Sequence, residues 1–258
     1  MVSTENIPIT QNKDAEYILA ILQQQGMGEE KQNLESLLQY IDSMEKQLGA
    51  VSQELQEVKS KVQSIQDNRV VAAVTKVVNV AERKITDAKN TLATVKQSVV
   101  QALSETAKSV KEAGVSALRK GLDFLGVRST LLSLQNKLRD SSSSLKSAAA
   151  RVGEIRTELK ESKTHLGNAG RALLGKPKAE AKTTADHGVL FEIQDMLQTT
   201  GDLLVGAEQK TATAITKVDS LTQKDGQQSV RQNLRSLKNA SPETKQAPVR
   251  TDKSQARS

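Results

Sequence analysis

Leu34 to Ile65 reads LESLLQYIDSMEKQLGAVSQELQEVKSKVQSI, and the spacing of its apolar residues decides the fold. Leu34, Leu37, Ile41, Met44, Leu48, Val51, Leu55, Val58, Val62 and Ile65 follow one another at steps of 3, 4, 3, 4, 3, 4, 3, 4 and 3. Every a and d position of this heptad run is apolar. Such a narrow seam, with a period of 3.5 residues, is what two supercoiled helices bury between them. Glu, Lys and Gln occupy the flanks, as on solvated helix faces. A helix over residues 30–66 would run about 55 Å at 1.5 Å per residue. Left open, the seam would expose some ten aliphatic side chains, at roughly 1.5–3 kcal/mol each if otherwise buried. These ten residues are therefore the expected oligomerisation or partner-binding element.

On the N-terminal side, residues 1–28 form a lead-in and a short helix. Ile7-Pro8-Ile9 reads as extended chain. Thr10 or Asn12 can cap a helix with Tyr17, Ile18, Ile21 and Leu22 on one face, which Gly26 and Gly28 end. On the C-terminal side, Asp67-Asn68-Arg69 breaks the seam of the 29–66 helix, and a kink or short loop is expected there. The composition then shifts to Val, Ala, Thr and Lys. Val74, Val78, Ala81, Ile85, Ala88, Leu92, Val95, Val99, Leu103, Ala107 and Val110 keep 3–4 spacing without the alternation of strands. Gly114, Gly121 and Gly126 mark its end.

A second strict run follows. Leu131, Leu138, Leu145, Val152, Leu159, Leu166 and Leu173 recur every seven residues, with Leu134, Ser141, Ala148, Ile155, Ser162 and Ala169 between them. The Ser141–Ser144 run resembles a linker in composition, but the heptad passes through it in register, so helix is expected. Residues 70–174 thus predict a long antiparallel helical hairpin turning near 119–128. Gly175-Lys176-Pro177 stops it, and 175–186 reads as a linker. Residues 187–223 predict a last helix with the seam Leu190, Ile193, Leu197, Thr200, Leu204, Ala207, Thr211, Ala214, Val218 and Leu221. Gly201 and Gly206 each cost it about 1 kcal/mol relative to Ala. Residues 224–258 are polar and basic, hold Pro242 and Pro248, and predict a disordered tail. Val230, Leu234 and Leu237 allow one or two helical turns in it on contact. The fold class is all-α: elongated, with coiled-coil segments.

Composition restricts the chemistry. Among 258 residues there are four aromatics, Tyr17, Tyr40, Phe124 and Phe191, no Trp and no Cys, and hydrophobics make up 36%. That is below the usual ~45–50%. Without Cys there is no disulfide scaffold or thiolate metal site, and a reducing cytosol suits the chain. The two histidines, His165 and His187, leave too few ligands for zinc. Glu161 stands four residues before His165, and an ordinary contact along the helix is the expected relation. Gly170 to Lys176 superficially resembles a phosphate loop, yet Pro177 follows the lysine and no strand precedes it. No catalytic constellation is visible, so the chain is expected to be non-enzymatic and without a cofactor. No apolar run reaches the ~18 residues of a spanning helix, and the N-terminus has no signal-peptide run, so the expected location is cytoplasmic.

Charge is unevenly distributed. Residues 1–68 carry 5 basic and 11 acidic residues, 69–223 carry 24 and 16, and 224–258 carry 8 and 3. The acidic and basic parts either complement each other in one assembly or steer acidic partners. Lys224, Arg231, Arg235, Lys238, Lys245, Arg250, Lys253 and Arg257 are the residues that would meet phosphates if the tail binds nucleic acid. Aromatic stacking platforms and a helix-turn-helix are missing. The favoured reading is a scaffold that self-associates or binds another helical protein, and accessory nucleic-acid binding is the alternative.

Three stretches carry a resemblance: Asn6-Ile7-Pro8-Ile9-Thr10, Leu37 to Leu48 (LLQYIDSMEKQL), and Gly170 to Lys176 (GRALLGK). Over residues 5–177 the chain resembles an uncharacterised helical family of anaerobic Gram-positive gut bacteria, carried in part on conjugative and other mobile elements. The resemblance implies a bacterial cytosolic accessory protein. It implies no activity and no site residues.

Overall fold

The computed structural model describes residues 8–120, 124–178 and 188–240, without side-chain detail at 119, 120, 125 and 223–240. Among them there are five α-helices and no strand: α1 (Lys13–Gln24), α2 (Gly28–Gln63), α3 (Asn68–Ala113), α4 (Leu125–Leu173) and α5 (Val189–Ala240). The chain forms two units, residues 1–222 and residues 223–258.

Short-range chemistry sets the helix ends. Asn12 caps α1, its side-chain oxygen accepting from the backbone N–H groups of Asp14 and Ala15 at 3.0 and 3.1 Å. Thr10, the other candidate cap, is engaged elsewhere. Gly26, at φ 69°, ends α1: its N–H donates to Gln23 O and that of Met27 to Leu22 O. This paired arrangement needs the left-handed backbone that glycine adopts freely. Asp67 caps α3 through Arg69 N and Val70 N, so the Asp67-Asn68-Arg69 break is a tight corner between α2 and α3.

Within residues 1–222, α2 to α5 pack as a four-helix bundle in which every neighbouring pair is antiparallel. Lys59–Glu82 and Lys96–Glu45 link α2 to α3. Lys61–Glu192 and the bond from Gln47 Nε2 to Leu203 O link α2 to α5. Arg128–Asp219, Arg139–Glu208 and Lys146–Asp202 link α4 to α5. In each set the residue number rises on one helix as it falls on the other. The Glu192 hydrogen bond and charge raise the Lys61 pKa, and the hydrogen bond from Lys146 lowers that of Asp202.

Most seam residues named from the sequence lie inside, the exceptions falling mainly on the second half of α4. The α3 seam from Val74 to Val110 is buried throughout, and so is the α5 seam from Ile193 to Leu221, its threonines included. Thr200 and Thr211 return their hydroxyl protons to Met196 O and Ala207 O, four residues back. That leaves neither buried hydroxyl donor unpaired in the helix core, at a small cost to the helix. Gly201 has a packing reason. A Cβ there would sit 3.2 Å from Lys146 Cγ, and the buried Ser142 hydroxyl donates to Gly201 O at 2.9 Å. The Ser141–Ser144 run is helical, as the heptad requires, and its first two serines are buried where α4 approaches α5 closely.

Three boundaries differ from expectation. α3 ends at Ala113 rather than near 118, because Gly114 (φ 73°) turns the chain into a 3-10 segment, Val115–Lys120. α4 begins at Leu125, four residues early, with Phe124 fully buried beneath its first turn. α5 runs on to Ala240, well past the expected end at 223. Val230, Leu234 and Leu237 keep helical spacing there, and the first proline is Pro242. Residues 179–186 of the expected 175–186 linker and the tail beyond 240 lie outside the described residues.

Candidate functional site

Four regions were singled out by the sequence or emerge from the packing: the 34–65 seam, a polar stretch on α2, a trough between α3 and α4, and the C-terminal end of α4.

The seam comes first. Leu34, Leu37, Ile41, Met44, Leu48, Val51, Leu55, Val58 and Val62 are 0–3% exposed within a single chain, and Ile65 is partly buried. The apolar partner that the heptad demands is supplied by α3 and α5 of the same molecule. These ten side chains are thus an internal seam of the bundle, and an intermolecular role for them would require the bundle to open.

Asp42 to Gln47 fastens α2 to three other elements. The Asp42 carboxylate accepts from Ile9 N, Thr10 N and Thr10 Oγ1 at 2.8, 3.2 and 2.7 Å, which moors the N-terminal 3-10 turn. Glu45 holds Lys96 of α3 at 2.7 Å. Lys210 of α5 donates to Ser43 Oγ at 3.0 Å and Gln47 Oε1 at 3.3 Å, while the buried Thr211 hydroxyl contacts Met44 Sδ. Ile9 and Thr10, from the first of the stretches that carry the sequence resemblance, therefore meet Leu37–Leu48, the second, in space. Sequence reasoning missed this junction because each polar partner lies on another helix. The only local signal is a cluster of hydrogen-bonding residues flanking Ile41, Met44 and Leu48.

Between α3 and α4 runs an open trough of about 500 Å³. Val77, Val80 and Ala148 line it with Ser143, Ser144 and Ser147, and small side chains on α4 are why it stays unfilled. Lys76, Lys84, Arg151 and Asp140 also line it. No ion pair crosses this seam among the described residues, in contrast to the three other seams of the bundle.

The end of α4 is the region where sequence pattern and burial part company. Leu131, Leu138, Leu145 and Val152 of the seven-residue run are fully buried, and Leu159 is partly so. Leu166 and Leu173, at the next two places in the same run, are 75% and 89% exposed, and Leu174 is 72% exposed. Gly153 packs on Gln194, and the Arg156 guanidinium lies over the Phe191 ring at 5.4 Å, close to where α5 begins. From Lys160 onward no described residue of α4 is buried. The helix nevertheless ends in an ordered stop. Gly175 (φ 66°) donates from its N–H to Ala172 O, and Lys176 N–H donates to Arg171 O. This paired closure satisfies the last carbonyls, and Gly175-Lys176-Pro177 is the stop that the sequence indicates.

The remaining candidates are quickly placed. His165 and Glu161 stand on this exposed part of α4, both in solvent, and His187 is outside the described residues. Among the described residues no three His, Cys, Asp or Glu side chains are grouped to hold a metal, and no helix is long and apolar enough to cross a membrane. Lys224, Arg231, Arg235 and Lys238 lie on the last turns of α5 without described side chains, and Lys245, Arg250, Lys253 and Arg257 lie beyond the described residues.

No curated protein and no solved structure matches the chain. A family model does, over residues 11–257, which takes in the last helix and the basic tail as well as two of the three stretches that carry the sequence resemblance, Leu37–Leu48 and Gly170–Lys176. The chain, from α1 to its C-terminal tail, belongs to the family of unknown function DUF6674.

Proposed function

We propose that this protein is a non-enzymatic helical scaffold that engages another protein helix through the end of α4. One observation carries the reading: the heptad pattern of α4 continues past the sealed bundle, leaving Leu166 and Leu173 in water on a properly terminated helix. A helical extension of a few turns is marginal by itself, since helices this short gain most of their stability from packing an amphipathic face. An apolar stripe in register on such an extension is a docking face of the helix-to-helix kind. The reading also includes a cytoplasmic setting, supported by the absence of Cys, and an accessory role on a bacterial mobile element, supported by the sequence resemblance alone.

The test is site-specific photo-crosslinking in cells, with a benzophenone side chain replacing Leu166, Leu173 or, as a control, the exposed Gln53 of α2. A discrete protein adduct from 166 and 173 but not from 53, identified by mass spectrometry, is the expected result. The absence of any discrete adduct from 166 and 173 rejects the docking face.

A further inference from the structure

We infer that the occupant of this face is the same face of a second copy of the chain, laid antiparallel across it. The inference rests on the docking reading above and names its partner.

Three features of residues 154–178 converge. The first is the stripe. Leu159, Leu166 and Leu173 repeat at seven residues, so a twofold axis near Leu166 brings Leu159 of one copy towards Leu173 of the other. An isologous contact needs such a self-complementary patch. Ser162, Ala169 and Gly170 lie beside the leucines, and a Cβ added at Gly170 would meet nothing within 4 Å. Large side chains next to small ones let two helices approach closely and interdigitate.

The second is charge. Residues 154–162 hold Glu154, Glu158 and Glu161 with Arg156 and Lys160, whereas residues 163–178 hold Lys163, Arg171, Lys176 and Lys178 and no acid. Parallel pairing would stack the basic ends on each other. Antiparallel pairing sets each basic end against an acidic one, and it also opposes the two helix dipoles favourably. The third is the scarcity of apolar competitors within the chain: beyond the buried seams, the other aliphatic run at helical spacing is Val230, Leu234 and Leu237 on the last turns of α5, half as long as Leu159 to Leu173. The segments outside the described residues, 1–7, 121–123, 179–187 and 241–258, contain no run of aliphatic residues at helical spacing. The described seams are already filled inside the bundle.

The chain has no Cys, which makes orientation directly measurable in the full-length protein. Light scattering of the purified chain should show a dimer that Leu166→Asp with Leu173→Asp converts to monomer. Chains carrying Ser162→Cys are then mixed with chains carrying Ala169→Cys and oxidised mildly. Antiparallel packing predicts the mixed disulfide as the main product, in several-fold excess over either symmetric one. A predominance of the two symmetric disulfides overturns the orientation. A monodisperse monomer at 100 μM, or a dimer untouched by the double Asp substitution, overturns the inference altogether. Should the monomer result coincide with a cellular adduct from position 166 to a different protein, the second-copy inference fails while the docking face stands.

Discussion

At the scale of single residues, small side chains have opposite meanings at different places on the same bundle. Gly49 sits in the interior of α2 with nothing within 4 Å of an added Cβ, so it carries the entropic cost of glycine with no packing return. Gly49→Ala should stabilise the fold by about 1 kcal/mol. At Gly201 the added Cβ would meet Lys146 Cγ at 3.2 Å and Leu145 Cβ at 3.5 Å. The flexible lysine can yield to a methyl group, but not to a larger side chain against a neighbouring backbone. Gly201→Leu should therefore destabilise by about 1–3 kcal/mol through overpacking. Urea denaturation of the two variants checks both signs. If both substitutions stabilise, the close approach of α4 and α5 at Ser142 is wrong.

At the scale of helices, the two strict heptad runs look alike in sequence and differ in environment. Ile41 and Leu48 of α2 are 0–1% exposed in the core, whereas Leu166 and Leu173 of α4 are mostly in water. A carboxylate in the first setting has no partner and no solvent, at a cost of several kcal/mol. Ile41→Asp should abolish cooperative unfolding or lower the melting temperature steeply. Leu166→Asp with Leu173→Asp should leave the melting temperature of the dissociated chain close to the original, because surface changes stay within about 0.5 kcal/mol. Circular dichroism melts at low protein concentration, where association does not contribute, separate the two. Equal damage from both would mean that the α4 end is packed within the monomer.

At the scale of the whole molecule, residues 1–222 hold the bundle core and residues 223–258 form a unit of their own. Truncation after Thr222 should remove the helical signal of the last turns of α5 and leave the melting temperature unchanged. The same deletion addresses the basic tail, whose 8 cations and 3 acids make it the candidate for nucleic-acid binding. Any binding should be nonspecific and fall steeply with salt, by about 0.9 log units per neutralised phosphate for each tenfold rise in salt. It should also vanish on truncation. Fluorescence anisotropy with two unrelated duplexes at low and physiological salt measures it, and full binding by the truncated chain would place the contact on the bundle instead.

Period, caps and punctuation are local properties, and they were enough to establish an all-helical chain. They show the break at Asp67, a cap at Thr10 or Asn12, the stop at Gly175 and the seams of α2, α3 and α5, each written within a few residues of where it acts. What a seam packs against is not local. The run from Leu131 to Leu173 keeps one pattern throughout, and only the placement of α3 and α5 buries its first four members and leaves the last two in solvent. The 34–65 seam has the spacing of a helix awaiting a partner, and the chain's own α3 and α5 fill it. The Asp42–Gln47 junction likewise depends on Thr10, Lys96 and Lys210, which arrive from three other elements. Periodicity reports that a face must be covered, and tertiary structure decides by what, because burial depends on the relative placement of segments far apart in the chain.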